Sequence, residues 1–207
     1  MLFNDNSIIL GLTGMSGAGK TTACKAFRDY GFSVVDCDIV ARQIVEIGKP
    51  ALKELSENFD NVILPDGNLN RRKIADIIFS EKDKLKLFND IVYPYILYKV
   101  ISDAADYING GKRLILIDAP TLFESGADRI CDIIISVVAD KEKCIDRIKE
   151  RDKLTYEQAA NRLSAQHDKK YYIEKSDFYI DNCDGYDEFS IKAHELSASI
   201  GEMYGER

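Results

Sequence analysis

The chain has 207 residues, 28 basic and 35 acidic, for a formal net charge of −7, with 45% apolar and 30% charged side chains. That length supports one substantial core with a smaller inserted lobe, and the acidic balance argues against a nucleic-acid or anionic-membrane partner. No apolar run approaches the ~20 residues of a membrane span, and the N-terminus MLFNDNSIILG has no basic n-region or small-residue cleavage site, so no secretory signal is expected.

Residues 8–12, IILGL, read as a buried strand, and a glycine-rich loop follows. TTACKAFRDYG then has apolar or small residues at helical spacing, with Gly31 as its stop. FSVVD is a second short strand ending at Asp36. DIVARQIVEIG reads as a helix with Asp38 at or near its N-cap and Gly48 after it. Pro50 opens a further amphipathic piece, and NVILPDGNLN is a hairpin or loop. Helical spacing resumes in LNRRKIADIIF and continues to about residue 108, with Pro94 expected to start, bend or interrupt a helix.

Gly110 and Gly111 break that run, and RLILID is a buried strand ending at Asp118. DIIISVVAD is the next strand. Three helices are expected in KEKCIDRIKERD, TYEQAANRLSAQ and KKYYIEKS, then a short strand at 177–181 and a closing helix from about Asp187 to Tyr204. Strands alternating with helices indicate a parallel sheet covered on both faces. The expected fold class is therefore α/β: a P-loop NTPase-type parallel sheet flanked by helices. A helical acceptor-binding lobe is inserted at about 50–110, with a small helical lid at about 141–170, within a single domain of residues 1–207.

The stretch Gly14-Met15-Ser16-Gly17-Ala18-Gly19-Lys20-Thr21 satisfies the P-loop pattern in its strand–loop–helix context. Its glycines let backbone N–H groups turn inward around a phosphate, and the next helix points its positive end at the anion. Lys20 should reach the β/γ-phosphates and the Thr21 hydroxyl should ligate Mg²⁺. Thr22 completes the nucleotide-binding set. Asp118, at a strand's carboxyl end, is the second candidate Mg²⁺ ligand; it lacks an adjacent glutamate, which favours transfer to an acceptor over hydrolysis.

Asp36 and Asp38 follow the second strand, expected beside the P-loop strand, where a carboxylate orients a hydroxyl or takes its proton. Arg147 and Arg151, four residues apart, share a helix face and suit phosphoryl oxygens, with Arg162 a weaker candidate. Arg71-Arg72-Lys73 and the tyrosines Tyr93, Tyr95 and Tyr98 suit a large anionic acceptor with an apolar arm. The cysteines Cys24, Cys37, Cys131, Cys144 and Cys183 are scattered with no CxxC pair. Only His167 and His194 could join them, so they are expected as small apolar fillers in a reducing cytoplasm.

In order, LTGMSGAGKTT, VVDCDIVARQIVE, GNLNRRKIADIIF, LILIDAPTLFESG, CIDRIKERDKLTYEQAANRLSAQ and DFYIDNCDG resemble the dephospho-coenzyme A kinase family over nearly the whole chain. The resemblance implies ATP and Mg²⁺, with transfer of the γ-phosphoryl to the ribose 3′-hydroxyl of dephospho-CoA to give CoA and ADP, the last step of coenzyme A biosynthesis. It implies Asp38 acting on that hydroxyl, Arg42 one helical turn later, Arg147 and Arg151 from the lid, and Asn182 near adenine. Leu122, Phe123 and Glu124 match the post-strand signature, with Leu122 and Glu124 on the acceptor side together with Arg72 and Tyr93. Four positions depart from the pattern: Met15 for glycine, Tyr93 for the histidine before Pro94, Thr121 for leucine, and Cys144 for glutamine. The alternatives are a kinase for another nucleoside or nucleotide, or a nucleotide-binding protein with weakened chemistry. A monomer or weak homo-oligomer is expected.

Overall fold

The computed structural model describes residues 7–205; most of the N-terminal segment from which the absence of a leader was read lies outside them. The elements run β1 (Ile8–Gly14), α1 (Lys20–Tyr30), β2 (Ser33–Asp36), α2 (Cys37–Gln43), α3 (Pro50–Asn58), α4 (Arg71–Ser80), α5 (Lys82–Asn109), β3 (Leu114–Asp118), β4 (Ile133–Val138), α6 (Lys141–Asp152), α7 (Tyr156–Ser164), α8 (Lys169–Lys175), β5 (Phe178–Asp181) and α9 (Tyr186–Gly205). A 3-10 turn at Ala127–Ile130, not foreseen from the pattern, precedes β4.

Among the described residues the strands form one sheet in the order β2-β3-β1-β4-β5. The pairs β1–β3, β1–β4 and β4–β5 are parallel, with Leu12 opposite Asp118 and Gly14 opposite Val137. β1 is buried along its whole length, as its continuous apolar run requires. It is also the strand at which the order reverses, which opens a crevice at its carboxyl end. β2 was expected beside β1; instead β3 takes that place and β2 lies beyond it. Strand adjacency depends on where the long connection returns, which no local pattern records.

The described chain separates into two compact units: the stretches up to Val35 and from Ala104 onward, and Asp36–Asp103. The first unit holds the main core, where α1 and α9 pack together. Tyr30 lies so close to Gly201 that a Cβ there would sit 1.8 Å from the ring. Phe27, Leu10, Leu12, Ile135 and Phe189 are buried in this core.

The second unit is helical apart from an antiparallel bridge between Ile63 and Leu69. α2 starts at Cys37 and stops at Gln43, short of the end expected before Gly48, and Asp38 lies near its N-cap as expected; the cap itself is Asp36, whose carboxylate accepts from the N–H groups of Asp38 (2.9 Å) and Ile39 (3.0 Å). α5 runs through Pro94 without interruption. The proline removes one donor, the partner of the Asp90 carbonyl, while neighbouring turns hold the helix. Among the described residues no helix is long and apolar enough to cross a membrane.

Candidate active site

The loop between β1 and α1 is held from several sides. The Met15 N–H donates to the Val137 carbonyl (3.1 Å) and the Ala18 N–H to the Met15 carbonyl (3.1 Å). Gly17 has φ of +76°, and a Cβ there would sit 2.6 Å from the Cys144 carbonyl oxygen of α6, backbone that cannot yield. Gly19, the N-cap of α1, has φ of +111° and would meet the Asn182 side-chain nitrogen at 2.6 Å. Among the described residues no side chain caps α1, and its positive end faces the loop. Lys20 folds back over the loop, its ammonium donating to the carbonyls of Gly14 (2.8 Å) and Met15 (3.2 Å). Met15 and Ala18 are buried, whereas Thr21 is exposed on the first turn and Thr22 half-buried. Met15 therefore fills the core beneath the loop and meets it through its backbone.

Arg147 and Asn182 belong to this loop. One guanidinium nitrogen of Arg147 donates to the Gly17 carbonyl (3.3 Å), and another to the backbone and side-chain oxygens of Asn182 (3.2 Å each). The buried Asn182 amide donates to the Ala18 carbonyl at 2.7 Å. Arg151 is engaged elsewhere: it pairs with Asp152 at 2.9 and 2.8 Å, and Arg162 joins the same carboxylate at 2.7 Å. The Arg151 hydrogen bond, then the charges of both arginines, hold the Asp152 carboxyl below its ordinary value. Cys144, one turn before Arg147, is fully buried against Gly17, and burial pushes its thiol up, so it fills space and stays protonated.

Asp118 ends β3, half-buried, and the next residue's N–H donates to the Leu12 carbonyl at 3.0 Å. Leu122, expected on the acceptor side, is a buried residue packed against the sheet. It is fully buried over Gly11, where a Cβ would meet it at 2.8 Å, and the apolar β1 surface explains the position. Glu124 is exposed, with the His167 ring nitrogen 3.6 Å from its carboxylate. His167 stacks on Tyr171 at 3.6 Å between ring centres, beside the buried Tyr172. Its neighbour Gln166 reaches the P-loop: the Gln166 side-chain carbonyl accepts the Ser16 N–H at 2.8 Å. Neither Gln166 nor a role for His167 at Glu124 was foreseen, because a polar pair after an amphipathic helix reads as solvated surface.

In the second unit Asp38 is exposed on the first turn of α2 and Arg42 on its last. The Arg42 carbonyl accepts from the Arg71 guanidinium at 3.5 Å, which joins α2 to the start of α4. Arg72 is exposed beside Arg71, and Tyr93 is half-buried on α5.

The sequence model of the family described as CoaE, dephospho-CoA kinase, matches residues 8–188. The chain belongs to the dephospho-CoA kinase family. It is similar to the dephospho-CoA kinase of Bacillus licheniformis, 32% identical over 92% of this chain and 95% of that protein. A solved structure from Thermus thermophilus covers 96% of this chain and 98% of its own, with a TM-score of 0.80 and 25% identity. The dephospho-CoA kinase from Campylobacter jejuni covers 94% and 97%, with a TM-score of 0.71 and 25% identity. Family membership makes the chain an ATP-dependent kinase and its sheet a P-loop kinase sheet.

Proposed function

We propose that the protein transfers the γ-phosphoryl group of ATP to the ribose 3′-hydroxyl of dephospho-CoA, releasing CoA and ADP. The observation that carries this reading is the family match across residues 8–188, which spans the P-loop, Asp38, Arg147 and Asn182 together. The P-loop amides of residues 14–19 and the α1 terminus hold the ATP phosphates. Lys20 exchanges the Gly14 and Met15 carbonyls for phosphate oxygens. Arg147, already bonded to Gly17, offsets charge that develops on the transferring group, and Arg151 joins it on leaving Asp152. Asn182 supports the adenine side.

Asp38 orients the 3′-hydroxyl; the new O–P bond forms as the bond to the β-phosphate oxygen breaks, and the hydroxyl proton passes to the carboxylate. Asp36 is committed to capping and leaves this work to Asp38. Arg42, Arg72, Tyr93 and Glu124 bind the acceptor, with residues 50–110 as its lobe and 141–170 as a lid. Thr21 and Asp118 would hold Mg²⁺, since a hydroxyl and a carboxylate are hard oxygen donors. When bound, the ion offsets charge on the β- and γ-phosphates. We place the protein in the cytoplasm, as a monomer or weak homo-oligomer.

An ADP-release assay with ATP and Mg²⁺, run with and without dephospho-CoA while CoA is followed in the same tube, tests the reading. Matching ADP and CoA yields are expected. ADP formed without the acceptor, or ATP bound with no CoA made, overturns it.

A further inference from the structure

The segment that leaves β5 carries Asn182, and lysines from three helices hold it. Lys169, the first residue of α8, lies 2.6 Å from the Asp181 carboxylate. Lys143 of α6 donates to the Cys183 carbonyl, and Lys192 of α9 pairs with Asp184 at 2.7 Å. Lys169 is half-buried, whereas Lys143 and Lys192 are exposed. Lys169 also faces the carboxylate of Asp140, the N-cap of α6, at 3.5 Å and the Cys183 sulfur at 3.9 Å. The Asp181 hydrogen bond holds its ammonium above the ordinary lysine value. Burial, then the Asp181 and Asp140 carboxylates, pushes the Cys183 thiol up to about 11, so it stays a neutral member of the group. The other Asp181 oxygen is buried with no hydrogen-bond partner among the described residues. A carboxylate so placed depends on Lys169, and without it turns toward water.

We infer that Lys169 is a positioning residue for the nucleotide base: through Asp181 it fixes the segment that carries Asn182. The inference rests on the reading of Asn182 as the adenine side and deepens it. Asn182 sits between Asp181 and Cys183, where it accepts from Arg147 and donates to the Ala18 carbonyl of the P-loop. Gln166, three residues before Lys169, accepts the Ser16 N–H. Residues 166–169 therefore touch the phosphate loop at one end and the Asn182 segment at the other. When a phosphate displaces Gln166 from Ser16, Lys169 keeps the start of α8 tied to Asp181. Its loss loosens the base end and leaves the phosphate end, formed by the loop amides and Lys20, as it is.

The test measures by calorimetry the affinity of a non-hydrolysable ATP analogue and of tripolyphosphate, which keeps the phosphates and lacks the nucleoside. It compares the wild type with Lys169→Met, Lys169→Arg and Lys175→Met. Lys175 is exposed at the end of α8 and controls for the charge removed. Lys169→Met is expected to bind the analogue about twofold to fivefold more weakly, the worth of one part-exposed ion pair, with tripolyphosphate unchanged. Lys169→Arg, which keeps a cation on Asp181, is expected to restore the wild-type preference, and Lys175→Met to leave both affinities unchanged. An equal loss for both ligands, a loss that Lys169→Arg does not restore, or a lowered Tm with both affinities unchanged overturns the assignment. The two possible failures are separable. A wild type that binds the analogue no more tightly than tripolyphosphate overturns the adenine-side reading itself, whereas a preference kept intact in Lys169→Met overturns the role of Lys169 alone. Neither measurement requires an acceptor or turnover.

Discussion

The side-chain carbonyl of Gln166 accepts the backbone N–H of Ser16 at 2.8 Å, so a residue 150 positions away occupies one of the amides that face a phosphate in a P-loop. A ligand phosphate that uses this amide must displace the carbonyl, and one neutral hydrogen bond is then exchanged for a charge-assisted one. Gln166→Leu is therefore expected to bind a non-hydrolysable ATP analogue about two- to tenfold more tightly, measured by titration. Weaker binding would show that Gln166 supports the nucleotide complex instead.

Arg147 joins Gly17 to Asn182 through three hydrogen bonds. Removing a donor aimed at developing charge costs on the order of 10²–10³ in kcat, and Arg147→Ala is expected to fall in that range. Arg147→Lys should recover little, because an ammonium cannot span both partners. A lowered Tm with unchanged kcat would make Arg147 a structural tie alone.

Asp36 and Asp38 are separable by experiment. Asp36 accepts two N–H groups at the start of α2, so Asp36→Ala is expected to cost about 1 kcal/mol in urea unfolding. Asp38→Asn keeps the cap and should lower kcat far more than it alters ATP binding. Near-normal turnover in Asp38→Asn would remove it from the chemistry.

The Asp152 carboxyl lies below its ordinary value of 3.8 through its bonds and charges with Arg151 and Arg162. A depressed carboxyl contributes stability that is present above the unfolded value and is lost as pH falls through the folded one. The link between α6 and α7 is thus expected to loosen below about pH 4, seen as faster cleavage near Lys153 by an acid-active protease. Asp152→Asn should show the loosened rate at pH 6. It should also free Arg151, lowering KM for ATP less than about fivefold, because exposed pairs hold weakly.

Tyr172 is fully buried, and burial, with the Glu124 charge second, pushes its phenol up to about 12 from an ordinary 10.0. A raised value means the contribution is complete below pH 10 and is lost as pH rises through the folded value. Urea unfolding between pH 10 and 12 should show the wild type losing on the order of 2–3 kcal/mol more than Tyr172→Phe. Parallel losses would place the alkaline sensitivity elsewhere.

Local chemistry made most elements readable. IILGL, LILID and IIISVV are continuous apolar runs and became buried strands, and Gly31 and Gly110 stop helices because the chain needs a break there. The P-loop is contiguous, so its glycines, lysine and threonine were legible without a partner. The exact cap of α2 was not legible: it depends on which of two nearby aspartates has the extended backbone, and Asp36, with φ of −89° and ψ of 109°, has it. The burial of Leu122 over the bare backbone of Gly11 was not legible in its motif, because it depends on a contact between distant segments.

The sequence by itself determined the P-loop, the family and the alternation of strands and helices, because each is written in contiguous residues or in the order of motifs. Tertiary structure alone decided that β3 separates β2 from β1, that Gln166 holds Ser16, that Arg151 is tied to Asp152 while Arg147 holds the loop, and that the Gln43 side-chain oxygen finds no donor among the described residues. Each of these depends on which groups the folded chain brings within bonding distance. Hydrogen bonds and close packing act over a few ångströms of space, whatever the separation along the chain.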